Sequence, residues 1–130
     1  MNNLKTFLCS AMLAITATAV QAADTFTNPV IQRSAPDPTI IRADNGDFYL
    51  YTTEDTRNLP IYHSKDLVNW DFVGTAFTEE TRPKWNPKGG IWAPDINKIG
   101  DKYVLYYSKS VWGGEWTCGI GVATADRPEA

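Results

Sequence analysis

Cysteine and histidine are nearly absent from this sequence: two cysteines and one histidine in 130 residues. Cys9 lies near the N-terminus, inside a stretch with the marks of a removable leader, so Cys118 stands alone downstream. An internal disulfide is therefore excluded, and an oxidising compartment is allowed but not exploited. Cys118 itself reads as a small apolar strand residue rather than a nucleophile. His63 falls at the end of an apolar run and is followed by polar residues, which points to a surface role rather than to metal or proton-transfer chemistry. No Ser-His-Asp arrangement, CxxC, phosphate-binding loop or dinucleotide fingerprint occurs. Basic residues are also in deficit. There is no basic stripe, which argues against nucleic acid and anionic membrane as partners.

Lys5 is the one charge before Asp24, and Phe7 to Val20 is a run of apolar and small residues ending in Val20-Gln21-Ala22. A charged start, an apolar middle and a small-x-small end are the parts of a signal peptide, expected over residues 1–22. The run is shorter than the ~20 apolar residues of a spanning helix. Export to the periplasm or the medium is expected, with no membrane attachment after cleavage. The mature chain, 23–130, would have 108 residues, with 11 basic and 15 acidic side chains and a net charge of −4.

Helix-period segments are missing after the leader. What is present is a series of short runs rich in β-branched and aromatic residues, separated by turn residues, which predicts antiparallel strands. These are Thr39–Arg42, Asp47–Thr53, Pro60–His63, Asn69–Gly74, Asp95–Ile99, Lys102–Ser108 and Thr117–Ala123, with an irregular stretch over Thr75–Gly90. Asn45-Gly46 is a strong hairpin signal.

The two halves repeat. Ala35-Pro36-Asp37 recurs as Ala93-Pro94-Asp95, Gly46-Asp47 as Gly100-Asp101, and Ile61 to Asp66 resembles Ile120 to Asp126. A unit of about 55–60 residues with four strands fits a β-propeller blade. The expected fold class is all-β, with one blade over about 35–74 and an incomplete one over about 92–130. Blades cover one another, and ~3 or more are usually needed. The expectation is therefore an N-terminal piece of a longer propeller, the alternative being a two-unit domain that dimerises.

Asp37 is the candidate catalytic residue. Prolines flank it in Ala35-Pro36-Asp37-Pro38. They restrict their own φ and bias the residues before them to extended backbone, holding one carboxylate on a stiff segment as a general base requires. The competing reading is a turn-capping Asp. Trp92 and Asp95, in Gly89-Gly90-Ile91-Trp92-Ala93-Pro94-Asp95, form the second group. An indole face suits the C–H side of a sugar and a carboxylate suits its hydroxyls; the alternative is Trp92 as packing between blades. Trp70 is expected to pack within the first blade. Trp112 and Trp116, flanking Gly113-Gly114, read as either a polymer groove or an edge cover.

Taken together, Ala35-Pro36-Asp37-Pro38-Thr39-Ile40-Ile41-Arg42, Asp47-Phe48-Tyr49-Leu50-Tyr51, Ser64-Lys65-Asp66-Leu67-Val68-Asn69-Trp70, Trp92-Ala93-Pro94-Asp95 and Tyr103-Val104-Leu105-Tyr106-Tyr107-Ser108 resemble the start of glycoside hydrolase family 43. Within it, Trp112 to Asp126 is most similar to bacterial arabinan endo-1,5-α-L-arabinosidases, with β-xylosidases and α-L-arabinofuranosidases of the same family as alternatives. The resemblance implies a five-bladed propeller, with about one and three-quarter blades in this chain. It also implies an inverting glycosidase acting on a polysaccharide or oligosaccharide.

On that resemblance Asp37 matches the general base, and Trp92 with Asp95 matches a substrate-side position. The general acid and the Asp that tunes it belong to later blades, and Glu115 does not fit the acid's motif. This chain alone is therefore expected to be inactive. No cofactor is expected within it; calcium, which many arabinanases of this type hold, would have its ligands downstream. A non-catalytic sugar-binding module and a protein-binding scaffold propeller are the readings from other classes.

Overall fold

The computed structural model describes residues 25–111 and 117–129. The expected leader and the loop residues Trp112, Glu115 and Trp116 lie outside them. The described chain is all-β, and among the described residues no helix is long and apolar enough to cross a membrane.

Seven strands follow one another: β1 Thr39–Arg42, β2 Phe48–Tyr51, β3 Pro60–Ser64, β4 Asp71–Thr75, β5 Gly90–Ile99, β6 Lys102–Ser110 and β7 Gly119–Ala125. They form two antiparallel meanders, β1-β2-β3-β4 and β5-β6-β7. These are a four-stranded blade and a three-stranded one, in the order expected.

Local chemistry sets the first hairpin. Gly46 takes φ 88, and the Asn45 side chain accepts the Asp47 N–H at 3.0 Å. That turn fixes the pairing of Arg42 with Phe48 and of Thr39 with Tyr51. The second hairpin turns at Gly100 (φ 62) and pairs Ile99 with Lys102.

β5 is longer than expected, beginning at Gly90 instead of Asp95. A bulge between Trp92 and Asp95 carries the strand past Pro94, which has no N–H to give to the ladder. The glycines before it are part of this tight packing: a Cβ on Gly89 would stand 2.7 Å from the Ser110 carbonyl oxygen. Two further readings are corrected. Cys118 is exposed and precedes β7, because that strand begins one residue later. His63 is half-buried, its Nε2 2.8 Å from the Asp47 carboxylate and its ring centroid 5.1 Å from that of Tyr49.

The core lies between the two sheets. Tyr49, Tyr51, Leu59, Ile61 and Phe77 of the first unit meet Ile91, Ile96, Tyr103, Leu105 and Tyr107 of the second. Phe77 and Tyr107 pack edge to face, with centroids 5.2 Å apart. The outer strand of each sheet is an uncovered edge, with Phe72 and Val73 of β4 and Ile120 and Val122 of β7 exposed. Ile61 is 1% exposed at the centre of the shared core. Ile61→Ala is expected to lower unfolding free energy by about 2–5 kcal/mol, read from urea denaturation of the chain.

Candidate active site

Asp37 lies at the surface just before β1. Its backbone differs from the extended form that Pro38 predicts: φ is 50, in the left-handed region. Asp tolerates that region better than most residues, and two bonds to Thr53 hold it there. The Thr53 N–H donates to the Pro36 carbonyl at 3.0 Å. The Thr53 hydroxyl donates to Asp37 Oδ2 at 2.6 Å. Thr53 ends the run that forms β2, so the central hairpin of the first sheet positions the carboxylate.

The same hydroxyl reaches the second sheet. It accepts the Ala93 N–H at 2.8 Å. Asp37 is thereby joined to the residue next to Trp92. Trp92 is half-buried, and its indole N–H donates to Ser110 Oγ on β6 at 3.1 Å. Asp95 is exposed on β5, opposite Tyr106 and beyond the bulge.

The repeated Pro-Asp is not a structural repeat. Thr39 lies opposite Tyr51, and Ile96 lies opposite Leu105. With Gly46-Asp47 set on Gly100-Asp101, Asp95 takes the place of Pro38 and not of Asp37. In a strand a one-residue slip reverses the face, so the two carboxylates are presented differently despite the matching tripeptides. Trp70 is half-buried and caps its own loop, its indole N–H donating to the Leu67 carbonyl at 3.0 Å.

Beneath the site is a buried charged joint that sequence reasoning missed. Glu54, next to Thr53, takes both Arg82 end nitrogens, at 2.6 and 2.8 Å. Its carboxylate also accepts the Asn58 and Ile91 N–H groups, each at 2.8 Å. The Glu54 N–H returns a bond to the Ile91 carbonyl at 3.2 Å. Arg82 further donates to Asn58 Oδ1 at 2.8 Å and to the Gly89 carbonyl at 3.1 Å. The Glu54 and Arg82 side chains are only 11% and 6% exposed. Burial pushes the Glu54 carboxyl up, but the Arg82 guanidinium and the two backbone N–H groups outweigh it, so the carboxyl is held below its usual range.

Lys109 is fully buried beside this joint, donating to the carbonyls of Pro83, Trp85 and Asn86 at 2.6–2.9 Å. It ties the irregular stretch between β4 and β5 to the second sheet. Glu54 and Arg82 are 28 residues apart, so no local spacing marks them. The one sequence signal was a charged residue directly after a buried strand.

A cavity of about 800 Å³ opens elsewhere between the sheets, lined by Tyr51, Phe77, Ile96, Tyr103, Leu105 and Ala123 among others. None of Asp37, Trp92 or Asp95 lines it, and its wall also carries polar and charged residues, Thr78, Asp126, Arg127 and Glu129 among them. Among the described residues no group of three or more His, Cys, Asp or Glu is placed to hold a metal ion.

The family model of glycosyl hydrolases family 43 matches residues 26–130. The non-reducing end α-L-arabinofuranosidase BoGH43B of Bacteroides ovatus is 39% identical over 117 residues, 82% of this chain and 21% of that protein. A β-xylosidase of Bacillus subtilis is 40% identical over 96 residues, 69% of this chain and 18% of that protein. The solved α-L-arabinanase of Cellvibrio cellulosa complexed with arabinohexaose is 35% identical, with a TM-score of 0.65 over 75% of this chain and 31% of that one. The chain thus spans about a fifth of the length of these curated relatives.

The Glu54 joint makes stability depend on pH. Because the folded carboxyl titrates below its unfolded value, its contribution is complete above about pH 4.3 and is lost as pH falls through the lower folded value. Glu54→Gln is expected to destabilise the chain by about 3–5 kcal/mol near neutral pH by leaving buried Arg82 unpaired. The gap to wild type should narrow in acid, as denaturation midpoints at pH 7 and pH 3 would measure.

Proposed function

The chain belongs to glycosyl hydrolase family 43, and from that membership we propose that it supplies the general-base side of an inverting glycosidase acting on arabinan. The observation that carries this reading is the placement of Asp37: an exposed carboxylate held on one oxygen by Thr53 and tied through it to the strand bearing Trp92. One oxygen is anchored while the other is left to receive a proton from water. That water attacks the anomeric carbon from the face opposite the leaving oxygen. A second carboxyl, protonated and ~6.5–9.5 Å away, gives its proton to that oxygen.

This acid is proposed to come from later blades of a complete domain. Trp92 offers its indole to the apolar face of a sugar, and Asp95 accepts sugar hydroxyls. The arabinohexaose bound to the Cellvibrio cellulosa enzyme supports an oligosaccharide occupant for this site. A second reading within the family, an α-L-arabinofuranosidase or a β-xylosidase, is favoured by the two curated relatives. Rates on linear arabinan against aryl arabinofuranoside and xyloside substrates separate the two.

In the complete catalytic domain, Asp37→Asn is expected to lower the hydrolysis rate by about 10²–10⁴-fold while calorimetry shows oligosaccharide binding retained; an unchanged rate removes Asp37 from the chemistry. The 130-residue chain alone is expected to release no reducing sugar from linear arabinan. Turnover by it would mean that the acid lies within this sequence.

A further inference from the structure

We propose that Thr53 is a positioning residue for the general base, setting the Asp37 carboxylate relative to the sugar-facing strand of the neighbouring sheet. This rests on the reading of Asp37 as the base and adds a residue to it.

A threonine hydroxyl has one proton and two lone pairs. At Thr53 the Ala93 N–H, 2.8 Å away, occupies a lone pair. The hydroxyl proton then points to its other close partner, Asp37 Oδ2 at 2.6 Å. The direction of the chain of bonds is thereby set: amide to hydroxyl, hydroxyl to carboxylate. A bond donated to an ionised carboxylate is of the stronger, charge-assisted kind. It holds the carboxylate's rotation.

Backbone geometry supports the same role. Thr53 bonds the peptide before Asp37 through its N–H and the Asp37 side chain through its hydroxyl. The two residues it holds, Asp37 and Ala93, are both non-glycine residues in the left-handed region, with φ 50 and 45. Such conformations persist where surrounding contacts over-determine them, and they concentrate at functional sites. One hydroxyl spans both. Ala93 adjoins Trp92, so the surface on which a sugar would stack and the carboxylate that would activate water share a single fixed link. Glu54, the next residue, fastens the chain beside Thr53 to Ile91 of the same strand as Ala93, so Thr53 sits on a rigid base.

The test uses the complete catalytic domain that carries this chain. Thr53→Val keeps the shape and removes the hydroxyl. Its kcat is expected to fall about 10–100-fold, with KM within about twofold of wild type and Tm close to it. Thr53→Ser, which keeps the hydroxyl, is expected to restore most of kcat. If Thr53→Val does not fold, the comparison is Thr53→Ala against Thr53→Ser: low kcat in the first and near-normal kcat in the second supports the assignment. Wild-type kcat in folded Thr53→Val or Thr53→Ala, or an equally low kcat in Thr53→Ser, overturns it. Asp37→Asn separates the premises. If it lowers the rate as expected while Thr53→Val keeps wild-type kcat, Thr53 alone is refuted; if Asp37→Asn leaves the rate unchanged, the base reading fails and the positioning role fails with it.

Discussion

The buried pairing of Glu54 with Arg82 is the constraint on which the rest of the site depends. Two sheets that share an apolar core can slide on it, because apolar contact has no direction. Glu54 supplies direction. Its carboxylate and its own N–H bond the two sides of the Ile91 peptide unit, and Arg82 neutralises its charge. A buried carboxylate is tolerable only when its oxygens are taken up this way. The start of β5 is thus held at a set distance from the end of β2.

That joint has a direct consequence one residue away. Thr53 bridges Asp37 and Ala93 beside the point where residue 54 fixes the start of β5 against the end of β2. On the first sheet stands the candidate base, and on the second the indole and carboxylate of Trp92 and Asp95. Lys109 completes the arrangement by collecting three carbonyls from the irregular stretch ahead of β5. The stretch contains no strand or helix, and side-chain cations, Arg82 among them, bond its carbonyls. Family 43 membership gives this geometry its chemical meaning, since the candidate base is joined through Thr53 to the strand that bears Trp92.

Several readings that the bare sequence supported were revised by contact. Pro36 and Pro38 promised an extended Asp37, yet Thr53 pulls it into the left-handed region. The recurring Pro-Asp looked like two equivalent positions, yet the strand pairing puts Asp95 one residue before the partner of Leu105, whereas Asp37 lies two before the partner of Tyr51. His63 looked solvated, yet it shields itself against Tyr49 and Asp47. In each case a local rule was correct about the residue and silent about its partner.

What the sequence determined by itself was the all-β class, the strand order and the hairpin turns, and it nominated Asp37 as the candidate base. These follow from period-two patterning, from turn residues that tolerate positive φ, and from a motif read along the chain; all are local or repeated. What only the tertiary structure decided was the joint of Glu54, Asn58 and Arg82, the buried Lys109, and the hydroxyl that links Asp37 to Ala93. Apart from Asn58, four residues from Glu54, their partners lie 16 to 40 residues apart, and polar groups so separated find one another only after the core has brought the two sheets together.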